Sequence, residues 1–241
     1  MTSPAPRAVS STSLVRARLA GMTGLAAACA ALTSLYAVAV CTVRGQAWDH
    51  RIWWHLHELS PVGARRVAEA LGVITPPSCV AALGVVVLLA VAQRRAVPAI
   101  VGVACAAGTF VSAEVLKYTL VRPDLGISHY GNSFPSGHTG AVAALAVAAV
   151  VALGGGLRAV WATLATLATL LTGLGVVLAG WHRPSDPVAS ALVAVAWAVV
   201  GLLVVHEHRA RTPSQDREGL DQPSWTRRSR SWWGGAGQRA V

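Results

Sequence analysis

Two short stretches carry the residue types that chemistry needs. Residues 132–139 read Asn-Ser-Phe-Pro-Ser-Gly-His-Thr, and residues 180–187 read Gly-Trp-His-Arg-Pro-Ser-Asp-Pro. In the first, Pro135 suits the opening turn of a helix, because a first-turn residue has no intrahelical partner for its N–H. Ser136 and Gly137 offer a hydroxyl and an unobstructed backbone N–H at that helix start, which is a ready anion site. His138 adds a group that exchanges a proton near neutral pH. In the second stretch Pro184 puts His182 before a helix, and Asp186 falls in its first turn, where a carboxylate is favoured. From there the carboxylate can reach back and accept the imidazole N–H, the arrangement that prepares a histidine nucleophile or base. Taken alone, the pair also reads as a capping Asp beside an interfacial His. It is not alone: Lys117, Arg122 and Arg183 share these two loops. Cations, an anion cradle and two histidines point to phosphate, since phosphoryl transfer is mainly positioning and charge stabilisation.

The rest of the chain is built to hold these loops at a membrane surface. Of 241 residues, 54% are hydrophobic and only 12% charged, with a mean hydropathy of +0.53. Soluble domains carry about 25% charged residues. Apolar runs near 20 residues read as membrane-spanning helices, so the bilayer is the expected partner. The formal net charge of +10 lies mostly in tails and short loops, where the positive-inside rule places it, and is not a nucleic-acid footprint. Cys29, Cys41, Cys79 and Cys105 lie within or at the edges of apolar runs without metal-ligand spacing, and read as small buried hydrophobes. The first apolar run is too long for a removable signal peptide and lacks its cleavage pattern.

In order, residues 1–17 read as a disordered cytoplasmic tail, residues 18–206 as one membrane domain, and residues 207–241 as a basic cytoplasmic tail. The membrane domain reads as an all-α bundle of six spans: 19–43, within 67–92, 97–116, 138–153, 159–180 and 187–205. Pro76 and Pro77 break the first turns of the second span. Residues 44–61, with Trp48, Trp53 and Trp54 among His50, His55 and His57, read as an interfacial segment; the three histidines lack the shared face a metal site needs. Under this layout thirteen Lys and Arg lie on the tail side and seven opposite. Both tails are therefore expected in the cytoplasm, with loops 117–138 and 180–187 facing outward together, the membrane being the plasma (inner) membrane. Nothing in the sequence bears on oligomeric state.

Pro135-Ser136-Gly137-His138 followed by His182-Arg183-Pro184-Ser185-Asp186 resembles the second and third signatures of the type 2 phosphatidic acid phosphatase (PAP2) superfamily. That resemblance implies a lipid phosphate phosphatase. His182 would attack phosphorus and form a phosphohistidine, Asp186 would orient it, and His138 would protonate the leaving alcohol. Ser136 and Gly137 match phosphate-binding positions, with Lys117, Arg122 and Arg183 as further phosphate ligands. No metal or other cofactor is implied. The substrate would be a lipid phosphate such as phosphatidic acid, phosphatidylglycerol phosphate or a polyprenyl phosphate or diphosphate.

Two departures qualify the match. The first signature is Lys, six residues, then Arg-Pro; counting from Lys117, those last positions hold Asp124 and Leu125, and the Arg-Pro pair, Arg122-Pro123, comes two residues early. The third signature opens with Ser-Arg, where this chain has Gly175-Val176. One guanidinium clamp is thus missing, and a lost transition-state contact costs roughly two to three orders of magnitude in rate. Glu114 stands one turn before Lys117, placed to hold its ammonium. Two other functions remain open at this point: a non-catalytic protein that binds lipid phosphate, and a lipid phosphotransferase using the same phosphohistidine.

Overall fold

The computed structural model describes residues 11–58, 61–127 and 131–211. Among the described residues the chain is helical, with no strand. The expectations for residues 1–10 and 212–241 lie outside the described residues. Helix α1 (Ser11–Leu35) begins inside the stretch expected to be a tail, and runs on through a π-helical turn, Tyr36–Val40. Helix α2 (Val43–Glu58) follows. Then come α3 (Pro61–Leu71), α4 (Pro76–Ala92), α5 (Ala96–Thr119), α6 (Gly137–Ala152), α7 (Gly155–Leu178) and α8 (Ser185–Arg211).

Four stretches, Leu14–Val40, α5, α7 and α8, are long and apolar enough to cross a membrane. A fifth candidate is the pair α3 and α4, bent by 60° at the break between them. The bend falls where Thr75 caps α4, its hydroxyl accepting from the Ser78 N–H and Ser78 returning the bond. This capping box, with proline in the first turn, starts a new helix instead of continuing the old one. Helix α6 is apolar but shorter.

Small residues let the helices approach closely, which is how helices associate where lipid removes the hydrophobic drive. Ala99 and Ala106 of α5 meet Ala144, Ala148 and Ala152 of α6, with Val86 and Ala90 of α4 against the same face. Deeper along, Cys105 packs with Ala143, Val147 and Val151 of α6 and Ala194 of α8. A third cluster, Val40, Phe134 and Ala189, ties the π-helical turn and the loop before α6 to α8. Of the cysteines only Cys105 is buried; Cys29 of α1 and Cys41, just after the π-helical turn, are exposed, contrary to expectation.

At the end of the bundle away from the two signature stretches, cations cap a helix. Arg95 donates to the Ala152 carbonyl at 2.7 Å and Arg158 to the Leu153 carbonyl at 2.8 Å, so both serve the C-terminus of α6. The first compact unit ends at Val205. The second begins at His206, and its described part is the final turns of α8, where Arg211 pairs with Glu207 at 3.9 Å.

Candidate active site

His182 and Asp186 come together as their spacing suggests. α8 opens at Ser185, so Asp186 sits in its first turn while His182 lies in the preceding loop. His182 Nδ1 donates to Asp186 Oδ2 at 3.2 Å. The carboxylate is fully buried, and more donors converge on it. Ser133 gives its hydroxyl to Oδ2, the Arg183 N–H reaches Oδ2 at 3.0 Å, and Arg122 Nη2 reaches Oδ1 at 2.9 Å. A buried carboxylate is tolerated when it is paired and hydrogen-bonded in this way. With Nδ1 committed, the tautomer is fixed and the lone pair remains on Nε2.

The loop before His182 is shaped by backbone. The Trp181 and His182 N–H groups both donate to the Val176 carbonyl, at 3.0 and 3.2 Å. Gly180 takes φ +81, a left-handed conformation open to glycine, and a Cβ there would stand 2.8 Å from the His57 ring. His57 Nδ1 donates to the Leu178 carbonyl at 3.1 Å, so α2 holds the end of α7.

The first signature stretch is arranged differently from expectation in two respects. Pro135 lies outside the helix: Ser136 is the N-cap and Gly137 the first helical residue. Ser136 is completely buried, its hydroxyl accepts from the Thr139 N–H at 3.4 Å, and its own N–H donates to the Asp186 carbonyl at 3.2 Å. Its hydroxyl therefore serves the cap. Gly137 leaves the start of α6 uncovered. A Cβ on Gly137 would meet Lys117 Nζ at 3.3 Å, so the ammonium stands over the N-terminus of α6. Lys117 is held there by Glu114 at 3.7 Å, the i, i+3 pairing expected from spacing. His138 lies within electrostatic range of His182 and Lys117 and packs on Trp181, ring centroids 5.1 Å apart.

Arg122 does not join this cluster. Its side chain is only 3% exposed, and it lies between Asp186 and Asp49, with Nη1 3.7 Å from Asp49 Oδ2. Asp124, in the position where the first signature has Arg, is exposed and accepts from the Gly126 N–H at 3.0 Å, away from Arg122. Val176, in the position of the missing guanidinium, is fully buried.

A cavity of about 260 Å³ opens at His182. Its walls come from residues 131–133, from 180–183, and from His50 and Trp53 of α2. Arg183 lines it and is largely buried; burial pulls its guanidinium below the ordinary value, Arg122 adds to the effect, and Asp186 and Asp49 oppose it. Among the described residues no three His, Cys, Asp or Glu side chains converge as a metal-ligand set.

The participation of α2 was missed in the sequence. Residues 44–61 looked interfacial, yet Gln46, Asp49 and Trp53 form one buried face of α2. Asp49 accepts the Ser185 N–H at 2.9 Å and the Ser185 hydroxyl at 2.6 Å. Burial raises its carboxyl above the usual range, while the Ser185 bonds and Arg122 act the other way. Gln46 donates to the Val40 and Pro123 carbonyls at 2.7 and 2.8 Å, fastening the loop after α5. The available signal was the i, i+3, i+7 spacing of these three residues in an otherwise polar stretch.

The chain belongs to the PAP2 superfamily, whose family model matches residues 73–210. That match covers both signature stretches and leaves α1 and α2 outside it. No curated protein and no solved structure matches the chain.

Proposed function

We propose that the protein is a lipid phosphate phosphatase working without a metal through a phosphohistidine on His182. The observation that carries this reading is the fully buried Asp186 holding His182 Nδ1 at 3.2 Å beside a cavity lined by Arg183. Membership of a superfamily of phosphatase type supports it.

In the proposed reaction the phosphate sits between Arg183, Lys117 and the free N–H groups at the start of α6. His182 Nε2 attacks phosphorus; the bond from phosphorus to the leaving oxygen breaks, and His138 gives that oxygen a proton. Water then attacks the phosphohistidine, His138 takes the proton back, and inorganic phosphate leaves with His182 Nε2 restored. The Arg at the usual third-signature position is missing, so Arg183 supplies the planar charge. The substrate is a phosphomonoester or diphosphate of a membrane lipid, its tail in the bilayer and its phosphate raised to the cavity. We read the bundle as six spans, counting α3 with α4 as one and α6 as another, with both tails cytoplasmic and the cavity facing outward. This rests on the thirteen-to-seven division of Lys and Arg.

The test uses the purified full chain in detergent with EDTA and a panel of lipid phosphates. Phosphate release by wild type that disappears in His182→Ala is the expected result. No release from any lipid phosphate, with lipid phosphate still bound, would sink the enzyme reading and leave a binding protein.

A further inference from the structure

Arg122 meets one carboxylate oxygen of Asp186 and His182 the other. Nη2 donates to Asp186 Oδ1 at 2.9 Å, and Nη1 lies 3.7 Å from Asp49 Oδ2. His182 and Arg183 line the cavity, whereas the Arg122 side chain is only 3% exposed and faces the two acids. Asp49 also holds Ser185, the residue just before Asp186, by backbone and hydroxyl at 2.9 and 2.6 Å. The two buried acids are thus joined twice, through a shared guanidinium and through Ser185. Burying an ion group has a large desolvation cost, and removing one partner leaves an uncompensated charge.

We propose that Asp49 and Arg122 are positioning residues, which set the place of Asp186 beneath His182 and the share of its charge that the imidazole feels, and that Arg122 does not bind the substrate phosphate. This rests on the reading of His182 as the nucleophile. Arg122 draws on the Asp186 anion at its other oxygen, and Asp49 partly neutralises Arg122. Loss of Asp49 leaves Arg122 unbalanced, weakens the field that Asp186 presents to His182, and makes the imidazole less basic. Loss of Arg122 does the reverse. The other charged or titratable groups around His182 are Arg183 on its own loop, His138 of α6 and His50 of α2, with Lys117 of α5 acting on His138 and His57 of α2 against Gly180, and both substitutions leave them in place.

The experiment follows His182 directly in the full chain in detergent micelles. Histidine is labelled with nitrogen-15, the His182 signal is assigned by its loss in His182→Ala, and its titration is recorded for wild type, Asp49→Asn and Arg122→Gln. Arg122→Gln alone takes away the cation that the two buried carboxylates share, so the double variant D49N/R122Q, which removes one charge of each sign, accompanies it. The expected result is a His182 pKa lower by roughly half a unit to one unit in D49N, higher by a similar amount in R122Q, and close to wild type in the double variant. Binding of inorganic phosphate, read by tryptophan fluorescence, should stay within about twofold in all three. An unmoved His182 titration in D49N overturns the role of Asp49. Phosphate binding weakened about tenfold or more in R122Q or the double variant overturns the role of Arg122 and returns it to the phosphate. If the opposed shifts appear while wild type releases no phosphate from any lipid, the phosphatase reading fails and the positioning network stands.

Discussion

Lys117 Nζ stands 3.3 Å from where a Cβ on Gly137 would lie, with Glu114 Oε1 at 3.5 Å. An ammonium, a steering carboxylate and the open start of α6 thus meet at one point, and glycine is what lets them. A helix N-terminus attracts anions by its free N–H groups and dipole, and Lys117 adds a full charge.

Gly137→Ala should therefore act on binding more than on folding. Alanine is acceptable in a helix, but its methyl pushes the Lys117 and Glu114 side-chain ends outward and covers the cradle. The expected outcome is a rise in KM of about tenfold with a thermal midpoint within about 2 °C of wild type. Equal loss in kcat with an unchanged KM would show that the cradle is not where the phosphate rests.

Asp186→Asn tests the tautomer. The amide keeps the shape of the carboxylate but can present N–H to His182 Nδ1, which moves the imidazole proton to Nε2 and removes the lone pair of the proposed nucleophile. By analogy with hydrolytic triads, kcat should fall by roughly four orders of magnitude. Removing the carboxylate also leaves Arg122 facing a neutral group, so the thermal midpoint should fall as well.

Ser136→Ala separates a cap from a phosphate ligand. Its hydroxyl is buried and accepts from the Thr139 N–H at 3.4 Å. Loss of such a cap costs about 1 kcal/mol. Thermal unfolding in detergent should show that loss, while KM for lipid phosphate stays within about twofold. A large KM change with intact stability would restore the hydroxyl to the phosphate.

Asp49 should leave a mark on stability against pH. Burial raises its carboxyl above the usual value of 3.8. A carboxyl whose pKa is higher folded than unfolded binds more protons in the fold between the two values, so stability falls as pH rises through that window. Asp49→Asn lacks this dependence. The thermal midpoint of the variant relative to wild type should climb from pH 3.8 upward and level off above the raised pKa. A constant offset across that window would show that the carboxyl is not burdened by burial.

The sequence by itself determined much of the machinery, because that part is local. His182, Pro184 and Asp186 lie within one loop and one helical turn, so their pairing follows from helix geometry. The same holds for Glu114 with Lys117, and for the apolar runs that became α5, α7 and α8. Only the tertiary structure decided what stands behind Asp186. Asp49 is 136 residues from Ser185 in sequence, and Arg122 is 64 from Asp186. No periodicity links residues so far apart; packing of α2 and of the loop after α5 against α8 brings them together. The same packing buries Ser136, whose hydroxyl accepts from the Thr139 N–H. In a nearly dry interior a charged group must find its partners, and which ones it meets depends on how distant helices are stacked.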